Sequence, residues 1–331
     1  TNRADQNSHR DRCCRDVLCR SVIRTLSVVP LYLFALLPKI LPGATLEVGP
    51  GREYERIEEA NQAAQPGDVI QVYPRRDGKP YERTAVFVRQ RDLTFRSMPG
   101  EGADYVSISG SGFDYSGRGQ TPRAIFQFNR GSDNCVLEGF ELSNAHNTSH
   151  NGAGVRINQA NGVTVRRCNI HDNDMGIMSN GDGSLETGRH QVIEACLVHH
   201  NGSLDDPGYN HNFYLGGTSV TIRFCDVAAS LTGHNVKSRA HFTRVEYSYI
   251  HDSANREFDL VDSADTARPA SHAVILGCII AKDPQCRGNR GLIHFGQDGG
   301  GTHDGTLYLV HNSIVHPFVS PLVELSTGRA Q

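Results

Sequence analysis

Tryptophan is absent from the 331 residues, methionine occurs three times, and aromatic residues make up 7% of the chain. A passive sugar-binding module relies on large exposed rings for stacking, and this composition supplies few of them. Charge of one sign is scarce as well: 33 Lys and Arg stand against 36 Asp and Glu, a formal net charge of −3. No broad basic face is available, which excludes ordinary nucleic-acid binding. The longest apolar run, Leu26 to Leu37, is interrupted by Pro30. It falls well short of the ~20 residues needed to cross a bilayer. A glycine-rich phosphate loop, a Gly-x-Ser-x-Gly elbow and a His-Glu-x-x-His pair are all missing, which removes nucleotide hydrolysis, serine esterase and zinc protease chemistry from consideration. What the chain does have is 34 glycines, suited to many turns and little helix.

Residues 1–44 differ from the rest. They carry seven Lys/Arg against three Asp, all but Lys39 ahead of the apolar run, and Leu41-Pro-Gly-Ala44 offers small residues suited to a signal peptidase. This is the pattern of a secretory leader, with membrane tethering as the plainer alternative. An exported protein (periplasmic, extracellular or cell-surface) of 287 residues is expected, running from 45 to 331 as one domain. Removal of the leader takes the net charge from −3 to −7.

A nine-residue phrase then recurs: Val163–His171, Gln191–His199 and Val220–Ala228, preceded by Cys135–Ser143, with weaker copies at Thr243–His251, Ala273–Ala281 and Leu307–Val315. Its marker column is Phe140, Cys168, Cys196, Cys225, Ser248, Cys278 and Asn312, with gaps of 28, 28, 29, 23, 30 and 34 residues. A period of that size filled by short alternating strands predicts the stacked coils of a solenoid. The cysteine column predicts an inward ladder of reduced thiols acting as small hydrophobes; rungs ~5 Å apart would also let Cys168 and Cys196 bridge. Before the first coil, Tyr54, Ile57, Ala60 and Ala64 have helical spacing, and an amphipathic helix there would cap the open end of the stack.

Each later coil has a second strand: Gly154–Ile157, Gly176–Ser179, Asn212–Leu215, Asn235–Ser238, Glu257–Leu260 and Leu292–Phe295. Alternation turns Val155/Ile157, Ile177/Ser179, Phe213/Leu215, Val236/Ser238, Phe258/Leu260 and Ile293/Phe295 inward. It places three outward columns beside one another. The middle one is Arg156, Met178, Tyr214, Lys237, Asp259, His294; the one two residues earlier contains Asn212, Asn235 and Glu257; the one two residues later contains Arg239. Variable excursions at Asn180–His190, Val261–His272 and Gly296–Thr306 flank this stripe.

Over roughly residues 45–331 the chain resembles the right-handed parallel β-helix proteins of the pectate-lyase-like superfamily. Leu46-Glu-Val-Gly-Pro-Gly and Ala-Ala-Gln-Pro-Gly-Asp-Val-Ile-Gln-Val72 are similar to that superfamily's cap and first coil. His211-Asn-Phe-Tyr-Leu-Gly216, Gly233-His-Asn-Val-Lys-Ser-Arg-Ala240 and Glu257-Phe-Asp-Leu260 resemble an exported bacterial subgroup. The resemblance implies an all-β, single-domain right-handed parallel β-helix.

The stripe suits β-elimination on an acidic polysaccharide, a reaction needing a neutralised uronate carboxylate, a base and an acid. Arg239 would clamp the carboxylate, Lys237 crowded by Arg239 would be the base, and Tyr214 would donate to the leaving oxygen or share the base role. His211 and His234, stacked on each other, join these as catalytic candidates, with Arg156, Asn212, Asn235 and His294 as substrate contacts. Asn212, Glu257 and Asp259 are hard oxygen ligands for Ca²⁺. The plainer reading of the stripe is a salt-bridge ladder, Lys237 with Asp259 and Arg239 with Glu257. A glycoside hydrolase using Glu257 and Asp259, or a non-catalytic glycan-binding surface protein, are the alternatives. His171, His199 and His251 fall in turns after the marker column and are expected to stack there, while Asn144, Asn173 and Asn201 are expected to supply left-handed turns and side-chain ladders. Nothing points to a protein partner, and a monomer is expected.

Overall fold

In the computed structural model the described residues are 43–117 and 121–326. The expected leader lies outside them, apart from Gly43 and Ala44. Three parallel sheets of ten, eight and nine strands run the length of the stack. The chain passes through the first, second and third sheets in turn, one strand each per coil, and the next coil pairs in register on top. Short β-branched segments suit this arrangement, because each strand has its inner face in the core.

The nine-residue phrase is two strands, not one. Thr164–Arg166 lies in the first sheet and Asn169–His171 in the second, and the same break divides Gln191–Glu194 from Leu197–His199. At each break one residue takes a left-handed conformation: Arg167, Ala195, Phe224, Tyr247 and His311, with Gly139 and Gly277 at the same position in the other two copies. The marker residue follows directly and turns inward. Cys168, Cys196, Cys225 and Cys278 are buried and free, as expected, so no bridge joins Cys168 to Cys196. Each thiol donates to a main-chain carbonyl two residues earlier, Cys225 Sγ to Arg223 O at 3.3 Å, and Ser248 Oγ does the same to Glu246 O at 2.9 Å.

The capping helix spans Ile57–Ala63 and buries Ile57 and Ala60. Tyr54 sits ahead of it, in a bridge to Val48. The three long excursions all leave the third sheet, after Met175–Asn180, Phe258–Val261 and Ile293–Gly296, and lead to the first. A further loop, from the second sheet to the third, separates Leu197–His199 from Phe213–Leu215. These connections border the outer face of the third sheet.

The corner between the second and third sheets corrects one expectation. Asn212, Asn235 and Glu257 do not face solvent; all three are fully buried. Each lies one residue before its strand, Phe213–Leu215, Val236–Ser238 or Phe258–Val261, where alternation has not begun. The side chain turns into the bend, whose orphaned backbone groups need partners. Asn173 Nδ2 donates to Asn201 Oδ1 (3.0 Å), Asn201 to Asn212 (2.8 Å), Asn212 to Asn235 (2.7 Å) and Asn235 to Glu257 Oε2 (2.6 Å). Lys282 Nζ closes the row at 3.2 Å from Glu257 Oε1, both side chains without solvent contact. Asn173 and Asn201 thus form the expected ladder, but the left-handed residues of this corner are Asn144, Asp172, His200, Ala229 and Asp252. His171 and His199 stack at 5.1 Å as expected, but as the last residues of strands in the second sheet and not in turns, and His251, also ending a strand, stacks on Tyr249 instead.

Candidate active site

Strand pairing puts Tyr214 beside Lys237, Lys237 beside Asp259, and Asp259 beside His294 on four consecutive coils of the third sheet. The expected column is therefore continuous on the outer face, but it is not openly exposed. Lys237, Asp259, His294, His211 and His234 are buried, and Tyr214 is half-buried. Tyr214, Lys237, Asp259, His211 and His234 line a cleft of about 400 Å³ together with Arg239, Pro207-Gly208-Tyr209, Arg256 and Asp298. His294, expected as a substrate contact, is not part of its lining and instead lies between Asp259 and Ser326.

Asp259 is the hub. Its Oδ2 accepts from Lys237 Nζ at 2.5 Å, its Oδ1 accepts from His294 Nδ1 at 2.8 Å, and Arg256 Nη1 stands 3.6 Å away. Burial opposes its charge, yet the His294 hydrogen bond and the neighbouring His234 and Lys237 outweigh that and hold the carboxyl far below its usual range. Lys237 Nζ also donates to Asp298 Oδ2 at 3.1 Å. Lys237 Nζ is thereby held between two carboxylates, a setting that suits a cationic anchor better than the expected base. Its crowding partner is likewise different from expectation: Arg239 pairs with Asp298 (Nη2 to Oδ2, 2.9 Å) and the Asp262 carbonyl, not with Glu257. Lys237 with Asp259 is the expected pair.

Arg239 Nε donates to Tyr214 Oη at 3.2 Å. The phenol oxygen accepts there, which leaves its own O–H free to point into the cleft. His211 stacks between Tyr214 (5.5 Å) and His234 (5.1 Å), the histidine pair arranged as expected. His211 Nδ1 accepts the His234 backbone N–H at 2.9 Å. Burial, with His234 and Lys237 nearby, drives the His211 pKa well below the ordinary value, so its neutral ring carries hydrogen on Nε2 and is a donor. Burial also lowers His234 to about 4, and its Nε2 lies 3.4 Å from Asp259 Oδ2.

Other candidates fall outside the cleft. Arg156 occupies the expected column two rungs before Tyr214, against Met178 Sδ at 3.7 Å. Asn212 and Asn235 are internal, so neither contacts substrate. Asn212, Glu257 and Asp259 are split between the inner corner and the outer face and cannot converge on Ca²⁺. Among the described residues no group of three His, Cys, Asp or Glu side chains is arranged to hold a metal. Burial lifts Glu257 to about 7 against the pull of Lys282, but its place inside the corner removes it as the acid of a hydrolase. Sequence reasoning missed Asp298 and Arg256. Both lie on connections, where coil periodicity assigns no facing; the only clue to Asp298 was its place in the long Gly296–Thr306 excursion.

No protein-family model matches the chain. No curated protein sequence matches it either. Among solved structures it is similar to YbhC of Escherichia coli, at 14% identity and a TM-score of 0.53, covering 84% of this chain and 87% of that one. It is also similar to a pectin methylesterase of Aspergillus niger, at 13% identity and a TM-score of 0.52, covering 87% and 91%. Three stacked parallel sheets, one strand of each per coil, and a likeness that runs through most of both structures identify the chain as a right-handed parallel β-helix with the pectin-lyase-like fold.

Proposed function

We propose that the protein is a polysaccharide lyase that cleaves a uronate-containing glycan by β-elimination. The observation carrying this reading is the junction of Tyr214, Arg239 and Lys237 in one open cleft: a phenol 3.2 Å from a guanidinium that shares a carboxylate oxygen with an ammonium. Two fixed cations facing one point are what a uronate carboxylate needs, and neutralising it acidifies the adjacent C–H. Tyr214, at hydrogen-bond distance from that pair, is the group placed to move protons. His211 presents an N–H to the same cleft and serves as a donor to substrate oxygens. Lys237 and Arg239 act as carboxylate ligands, and Asp259 keeps Lys237 in place.

One feature weighs against hydrolysis. Asp259 and Asp298 are the acids of the cleft, and both accept hydrogen bonds from cations, which leaves no carboxylic acid to protonate a leaving group. The leader pattern, with its expectation of export, suits a substrate met outside the cell.

The test is incubation with pectate, alginate and glycosaminoglycans while following the ultraviolet absorbance of the unsaturated product. Tyr214→Phe and Arg239→Ala are expected to lower kcat by about 10²–10⁴-fold. New reducing ends without absorbance would replace elimination by hydrolysis. Retention on an acidic glycan column without turnover would leave a binding module.

A further inference from the structure

We propose that Lys237 and Arg239 form a carboxylate subsite whose resident occupant is the side chain of Asp298, and that an acidic sugar binds by displacing it. This rests on the uronate reading above and adds the residue that competes with the sugar for the subsite.

One oxygen, Asp298 Oδ2, accepts from Lys237 Nζ at 3.1 Å and from Arg239 Nη2 at 2.9 Å. That position is where two independent cationic donors converge, and an oxygen of any incoming carboxylate would make the same pair of bonds. The occupant differs from its hosts in mobility of attachment. Lys237 and Arg239 are carried by or directly follow the strand Val236–Ser238, whereas Asp298 lies on a loop and its side chain is 42% exposed. Three glycines follow it, and Gly300 has a φ of 84°, a conformation that other residues adopt at a cost.

The loop is nonetheless fixed at its base. The buried Asp262 carboxylate accepts the backbone N–H groups of Asp298 (2.6 Å), Gly299 (2.9 Å) and Gly301 (2.6 Å). The Asp298 side chain can therefore swing away about its own bonds while the backbone holds. Its departure leaves no buried cation stranded: Lys237 keeps Asp259, and Arg239 keeps the Asp262 carbonyl and Tyr214 Oη.

Selectivity follows from the two cations. A ligand bringing a carboxylate restores both bonds with no change in charge. A neutral sugar offers hydroxyls in place of a carboxylate, so it gains little from these two cations whether or not Asp298 occupies them. Asp298 is thus a competitor for the two cations: its presence weakens the binding of acidic ligands, while Lys237 and Arg239 themselves supply the preference for a carboxylate.

The experiment is calorimetric titration of hexamers of galacturonate, mannuronate and neutral xylose into the parent protein, Asp298→Ala, Asp298→Asn and the double variant Asp298→Ala/Arg239→Ala, each checked for an unchanged melting profile. Asp298→Ala is expected to lower the Kd of at least one acidic hexamer by about tenfold, the worth of one charge-assisted hydrogen bond, with Asp298→Asn moving the same way by less. The neutral hexamer is expected not to respond, and the double variant to lose the gain. Acidic binding that is unchanged or weaker in folded Asp298→Ala overturns the proposal, as does an equal gain for xylose or no binding of any acidic hexamer by either protein. Turnover is scored separately. A parent protein that cleaves nothing ends the lyase reading, while a gain in acidic affinity still upholds the exchange.

Discussion

Glu257 and Lys282 form an ion pair with no solvent contact, at the end of a row of amides. Removing one member strands the other, so Lys282→Met is expected to cost about 3–5 kcal/mol of stability in denaturant titrations. Adding Glu257→Gln should return part of that loss, since the second variant removes the orphaned charge. The pair also marks the pH response. The folded Glu257 carboxyl, raised to about 7 from 4.5, binds protons more readily than the unfolded one. Between these values the folded chain holds the extra proton, so this group's contribution to stability falls as pH rises from 4.5 to about 7. Asp259 acts in the opposite sense: its folded pKa lies below 3.8, so its contribution is full above that value and is lost as pH falls further. Stability measured against pH should show the first decline in the parent protein and a flatter profile in Glu257→Gln. These residues also show what sequence reasoning resolves at this scale. Tyr214, Lys237 and Arg239 were legible because they lie within or directly beside period-2 strands. Glu257, one residue ahead of its strand, looked identical to an outward residue because the alternation rule has no marker for where it starts.

At the scale of elements, the informative unit is the bend. A left-handed residue breaks each nine-residue phrase, and in five copies that residue is Arg167, Ala195, Phe224, Tyr247 or His311, each of which pays a cost that glycine would not. The two copies that use Gly139 and Gly277 carried the only sign of it, too few to split the phrase from sequence alone. Ala195→Gly is therefore expected to raise stability by about 0.5 kcal/mol, the relief of left-handed strain less the added freedom of the unfolded chain. The amide row is a second such unit. Asn235 accepts from Asn212 and donates to Glu257 and the His251 carbonyl. Asn235→Ala leaves several buried groups without partners and should cost upwards of about 3 kcal/mol, measured by the same titrations. The marker column behaves differently. Cys225→Ser should be mild, because Ser248 already stands in that column and makes the same bond to a carbonyl.

For the whole molecule, stability follows from each coil touching only the coils above and below it. Coils with strands between 153 and 261 have neighbours on both sides in all three sheets. The segment from Leu309 to Leu325 carries exposed apolar side chains, among them Val310, Ile314 and Val323. Amide hydrogen exchange is expected to be slowest in the first group and fastest in the second, with a gradient between them; uniform protection would contradict stacking as the source of stability. The overall architecture was the most legible level, because a repeat states its own period. The connections were the least legible, because their lengths vary and no column assigns them a direction; Asp298 and Arg256 were hidden there.

The amide row has a consequence for how such a wall can change in size. Every asparagine in it engages the corner of the adjacent turn, so a segment gained or lost in part would leave one amide facing the wrong carbonyl. A complete turn, inserted or deleted, restores the same handshake on either side. Growth and shortening of this protein are thereby limited to whole-turn increments, and each increment moves the distance between features on the outer wall by a single rung, ~5 Å.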